Sequence, residues 1–168
     1  MSAPMNAKER IMRENDFIVS KTDMKGKITY CNEIFMDMAA MTESELLGKP
    51  HNIVRHPDMP KAVFKLLWDR IRNGEEIFAY VKNRSKDGNY YWVLANVTPS
   101  YDGNGKPIGF YSVRIKPSRK AIETIEPLYA QMREKEKHGG VEASMAYLQE
   151  ILKEKGVTYD EFVVSLQG

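Results

Sequence analysis

The chain has 168 residues, enough for one domain of ordinary size plus an appendage. Its formal charge is +2, with 25 basic residues scattered among 23 acidic ones rather than gathered into a stripe, which argues against a nucleic-acid partner. A single cysteine, Cys31, supplies neither an internal disulfide nor a thiolate cluster, and no window approaches the roughly 18 apolar residues of a membrane span. The leader "MSAPMNAKERIMREND" has no apolar h-region, so the expectation is a soluble, cytoplasmic chain without direct membrane insertion.

In chain order, "DFIVSKTDMKGKITYCN" predicts two short strands around the turn "DMKG". "NEIFMDMAAMTESELLGKP" is helical in character. Within it "TESE" forms a capping box, and Gly48 and Pro50 stop the helix. The loop "HNIVRHPDMP" then launches a helix whose Val63, Phe64, Leu67, Trp68 and Ile71 share one apolar face, with Gly74 at its C-terminal cap. After that the period changes to two. Three alternating runs, separated by the hairpin signals "KDGN" and "YDGNGKP", predict three antiparallel strands.

Two strands, a helical crossover and three strands make an α+β architecture, a five-stranded antiparallel sheet with helices over one face. The pocket belongs between that face and the helices. From Ser118 the chain is helical in pieces. Ile122, Ile125, Leu128, Tyr129 and Met132 share a face, Pro127 is expected to break or kink the run, and "HGG" at 138–140 reads as a hinge. Val141, Met145, Leu148 and Leu152 line a further helix, and "TYDE" at Thr158 opens a last one. The division is a leader at 1–15, a sensor domain at 16–117 and a helical signalling extension at 118–168.

The words "ITYCNEIF", "ELLGKPHNIVRHPDMPKAVFKLLW", "VKNRSKDGNYYWVLANVTP", "IGFYSVR" and "IEPLY" resemble the PAS domain of bacterial aerotaxis receptors, flavin-binding redox sensors for energy taxis. The likeness runs from about Asp16 to Met132, and the unbroken "GKPHNIVRHPDMPKA" is its most specific part. It implies the PAS fold, FAD as cofactor, no enzymatic activity, and relay of the flavin's redox state to a membrane-bound chemoreceptor-type partner or a fused signalling domain. A homodimer is a further option. The family continues into a membrane anchor and a long signalling region. This chain is similar to the soluble PAS half of a bipartite system, the alternative being a truncated receptor.

The resemblance implies that Arg55, His56 and Asp58 hold FAD, and a guanidinium suits a pyrophosphate or a flavin carbonyl. Asp58 equally fits an N-cap, with Pro60 in the first helical turn. Asn32 and Asn83 match polar pocket positions of the family, since a carboxamide satisfies either donors or acceptors on a flavin edge. Asn32 also suits a helix N-cap. Phe64, Trp68, Tyr91, Trp92 and Tyr111 are candidates for stacking, although aromatics at such spacings are commonly core, and Trp68 leads because the family carries tryptophan there. His51 reads as a loop hydrogen-bonder and His138 as solvent-exposed.

Cys31 ends a strand in "YCNEIF", unlike the Asn-Cys-Arg-Phe word of light-sensing flavin domains, which makes a photoadduct unexpected. "HPD" lacks the i, i+4 histidines of a helical zinc site, and no nucleophile elbow or phosphate loop appears. Two other functions compete with the flavin sensor. One is a haem- or gas-sensing PAS domain with His51 or His56 as axial ligand. The other is a cofactor-free interaction module using the sheet's outer face. The signal is expected to leave through the C-terminal helices, whose Leu148 and Leu152 lie beyond the core and would be covered by a partner or a second copy, so that a chain cut after Lys116 would keep flavin binding and lose its partner.

Overall fold

A computed structural model describes residues 7–168, so all of the expected leader but its first six residues falls within view. Strands β1 (Ile18–Thr22) and β2 (Ile28–Cys31) are followed by helices α1 (Glu33–Ala39) and α2 (Glu43–Leu46), a 3-10 turn at His51–Val54 and helix α3 (Lys61–Arg72). Strands β3 (Ile77–Arg84), β4 (Tyr90–Tyr101) and β5 (Pro107–Ile115) lead into α4 (Arg119–Lys155) and α5 (Tyr159–Gln167). The sheet is wholly antiparallel in the order β2-β1-β5-β4-β3.

Local chemistry explains the boundaries. Thr42 Oγ1 accepts the Glu45 amide at 3.3 Å while the Glu45 carboxylate accepts the Thr42 amide at 3.0 Å, the reciprocal capping box that starts α2. The same pair of bonds joins Thr158 and Glu161 at α5. The turns at "DMKG", "KDGN" and "DGNG" each need a left-handed residue, supplied by Gly26, Gly88 and Gly105.

The sequence expectation fails at Pro127 and holds at the "HGG" hinge. Helix α4 runs through Pro127, which lies with Glu123 on an exposed face, where the carbonyl freed by the missing amide is not forced into the core. The helix turns instead at Gly140, with φ 72° and ψ −167°, within the "HGG" hinge. The chain then doubles back. Glu136 sits at the N-terminus of α3, Asp160 pairs with Arg70 near its C-terminus, and Gln167 returns to Ser118.

Leu148 and Leu152 are therefore 3% and 9% exposed, buried in the chain's own core rather than left for a partner. The extension wraps the open edge of β3. Tyr129 and Tyr159 donate their hydroxyls to the carbonyls of Tyr80 and Phe78 at 2.6 and 2.9 Å, and Tyr80 donates to the Val163 carbonyl at 2.9 Å. An unpaired edge that would invite aggregation is thus satisfied internally. Tyr129 also packs against Trp92, whose strand phase points away from the cavity described below.

Candidate functional site

A cavity of about 350 Å³ lies between α3 and the inner face of the sheet, within the usual range for small-molecule sites. Strand alternation fixes its floor, since Ser20 and Thr22, Val81 and Asn83, Ala95 and Val97, and Phe110, Ser112 and Arg114 occupy every second position on their strands. The apolar face of α3 forms the roof with Phe64, Leu67, Trp68 and Ile71. The 3-10 turn contributes His51 and Asn52, and Arg55 follows it.

The deep end is cationic. Arg114 is 3% exposed and donates from Nη1 to His51 Nε2 at 2.8 Å and from Nη2 to Ser20 Oγ at 2.7 Å. Its Nε has no partner, and burial lowers its pKa to about 10. His51 stacks on Phe35 at 5.5 Å and is held neutral, its pKa pushed to about 3 by burial and then by the Arg114 charge. Accepting from Arg114 at Nε2 leaves the imidazole proton on Nδ1.

Arg55 stacks its guanidinium on Phe64 at 3.7 Å, forms a short backbone bridge with Asn83, and likewise buries an unpartnered Nε. The cavity lining holds Lys25, Arg55, Arg72 and Arg114 and no aspartate or glutamate. A buried cation without counter-charge, such as Arg114, is costly, so the cavity presents donors to a ligand that carries carbonyl or anionic oxygens.

Of the seven residues singled out in the sequence, Arg55, Phe64, Trp68 and Asn83 line this cavity. Trp68 meets Phe110 edge to face at 5.5 Å and stands near the mouth. Asn32, His56 and Asp58 are not among the lining residues. Asn32 caps α1, its Oδ1 accepting the amides of Phe35 and Val19 at 3.1 Å while its Nδ2 donates to the Phe17 carbonyl.

His56 is 3% exposed and accepts the Asp58 amide at Nδ1, 3.0 Å away, with Tyr90 against its ring. Burial, then the Lys82 charge, lowers its pKa to about 4. Asp58 pairs with Lys82 Nζ at 2.9 Å, and its carbonyl accepts from Arg133 of α4. It does not cap α3, whose N-cap is Pro60 with no side-chain bond. "HPD" is thus a turn that joins β3 to α4.

The residues that sequence reasoning missed are Arg114, Ser20 and Ser112, and His51 was placed in the loop without its role as a cavity wall. A signal for Arg114 existed. In "FYSVR" it shares the phase of Phe110 and Ser112, and an arginine on the buried phase of a strand needs a partner inside. Among the described residues no group of three or more His, Cys, Asp or Glu side chains is placed to hold a metal, and no helix is long and apolar enough to cross a membrane.

The chain belongs to the PAS fold family, which matches residues 28–114. It is 42% identical over 118 residues to the aerotaxis receptor of Escherichia coli K12, covering 70% of this chain and 23% of the receptor. It is also 30% identical over 103 residues to the biofilm dispersion protein BdlA of Pseudomonas aeruginosa, covering 61% and 24% of the two, and 30% identical over 107 residues to phototropin-2 of rice, covering 63% and 12%. The chain thus spans a quarter or less of the length of these relatives. The fold is shared with a light-oxygen-voltage domain studied with a flavin analogue, at a TM-score of 0.56 and 24% identity over 65% of this chain and 82% of that one. The blue-light-activated histidine kinase EL346 of Erythrobacter litoralis gives 0.57 at 17% identity over 71% and 40%.

Proposed function

We propose that this chain is a flavin-binding PAS redox sensor of the aerotaxis type, that its cofactor is FAD, and that it acts in the cytoplasm by relaying the flavin's redox state to a chemoreceptor-type signalling partner. The observation that carries the reading is the cavity itself: one buried and one half-buried guanidinium, each with a buried and unpartnered Nε donor, no carboxylate in the lining, and an aromatic roof. A bound flavin supplies reversible one- and two-electron chemistry on a planar ring whose edge is rich in carbonyls and ring nitrogens.

Arg114, Arg55 and Asn83 are the donors available to that edge, while Phe64 and Trp68 contribute apolar faces for packing. Arg114 belongs to β5, and β5 leads directly into α4. A change in hydrogen bonding at Arg114 therefore has a short covalent path to the helical extension. The 42% identity to an aerotaxis receptor supports the same reading.

The haem alternative fits less well. His56 lies outside the cavity lining, and His51 would have to surrender Arg114 and Ser20 to offer Nε2 to iron. The cofactor-free alternative needs an open outer face, and around Trp92 and the β3 edge that surface is covered by α4 and α5. The test is to denature the purified chain and chromatograph what is released. The reading expects FAD at about one equivalent. Release of haem, or of nothing after reconstitution with FAD, would overturn it.

A further inference from the structure

The two ends of the cavity carry different chemistry, and the mouth has its own cations. Gly26, in the β1–β2 turn, lies so close to α3 that a Cβ there would stand 3.0 Å from two atoms of the Trp68 ring. Lys25 is the adjacent residue in that turn. The Arg72 guanidinium covers the same indole at 4.7 Å. Lys25, Trp68 and Arg72 line the same part of the cavity, and both cations are exposed.

Among the described residues neither cation has an ion-pair partner, although acids stand nearby. Asp23 spends its Oδ1 on the amides of Lys25 and Lys27 in its own turn. Asp69 pairs with Lys65, while Glu75 is taken by Arg70 and Asn73. The neutral ring of a flavin answers the buried donors at the deep end through its carbonyls. It offers no charge to the mouth.

We propose that Lys25 and Arg72 form a phosphate subsite at the mouth of the cavity, taking the phosphate-bearing tail of the ligand whose ring lies beneath α3. This rests on the flavin reading above and extends it to the part of the ligand that distinguishes phosphorylated flavins from riboflavin. An ammonium and a guanidinium lining one cavity suit a phosphate group, the lysine as a point charge and the arginine as a fork.

The test measures binding of riboflavin, FMN and FAD to the full chain stripped of flavin, by quenching of flavin fluorescence. Wild type should bind FMN and FAD at least about ten-fold more tightly than riboflavin, the difference expected for charge-assisted bonds. The double variant Lys25→Gln, Arg72→Gln should bring all three to the riboflavin affinity without changing that affinity. Arg72→Lys, which keeps the charge, should retain most of the preference. A double variant that loses riboflavin in parallel, or keeps wild-type affinity for FMN and FAD, overturns the subsite and leaves the flavin reading standing. If wild type binds none of the three flavins, the flavin reading falls and the subsite falls with it.

Discussion

Glu136 of α4 accepts the backbone amides of Lys61 and Ala62 at 2.9 and 3.0 Å, so the first turn of the cavity's roof helix is capped by a side chain from the C-terminal extension. Pro60, at the N-cap position, has no side chain able to do this. The carboxylate also meets the positive end of the α3 dipole. Roof and extension are thereby one mechanical unit.

Replacing Glu136 by alanine should lower stability by about 1 kcal/mol, the usual worth of a helix cap. Glu136→Gln should recover part of the loss, since it keeps an acceptor and loses the charge. Urea denaturation of the three proteins checks this, and equal midpoints would show that the cap carries no weight.

Arg114→Met should separate binding from stability. The guanidinium is buried beside neutral partners, so its removal in favour of an apolar chain of similar length relieves desolvation and leaves the flavin-free protein as stable as wild type or more so. Flavin affinity should fall at least about ten-fold with the loss of charge-assisted donors. Thermal melts of flavin-free protein, paired with flavin titration, read the two effects. A variant that melts well below wild type yet keeps wild-type flavin affinity would reverse the assignment.

Acid should destabilise the fold through two histidines whose folded pKa values are depressed. His51 and His56 have folded pKa values lowered to about 3 and about 4 from an ordinary 6.5, so the unfolded chain takes up protons that the folded chain refuses. Their contribution is complete above pH 6.5 and is lost as pH falls from there toward 4, by up to about 1.4 kcal/mol per pH unit for each histidine. Urea midpoints at pH 7.5, 6 and 5 follow the decline. His56→Gln should make it shallower, and an unchanged slope in that variant would show that His56 does not contribute.

The strands, helices and turns were legible because their signals are local: capping boxes at Thr42 and Thr158, glycine turns at Gly26, Gly88 and Gly105, and a clean change of period after Gly74. The cavity was half legible. Arg55, Phe64, Trp68 and Asn83 follow from motif and phase, whereas Arg114 is signalled only by its phase with Phe110 and Ser112, and pairing of β5 between β1 and β4 is what shows which face that phase lines. Asn32 reads the same in sequence whether it caps a helix or faces a ligand, and three hydrogen bonds to its carboxamide decide how it is used. The burial of Leu148 and Leu152 depends on a reversal at Gly140 that helical periodicity does not encode.

That reversal changes what truncation does. A chain cut after Lys116 loses Glu136 from α3, the tyrosine hydroxyls from the Phe78 and Tyr80 carbonyls, and the cover over Trp92. It should melt at a lower temperature and aggregate through the bared β3 edge, rather than persist as an intact sensor domain. Size-exclusion chromatography and circular dichroism test this, and a monomeric truncated chain with wild-type melting would contradict it.

The most direct test of the central claim is a titration of the flavin-free chain with FAD, followed by visible absorbance before and after reduction with dithionite. The account predicts saturation at one FAD per chain, with the two-banded spectrum of oxidised flavin bleaching on reduction and returning in air, and a much weakened titration in Arg114→Met. A wild-type chain that leaves FAD unbound throughout the titration would contradict it.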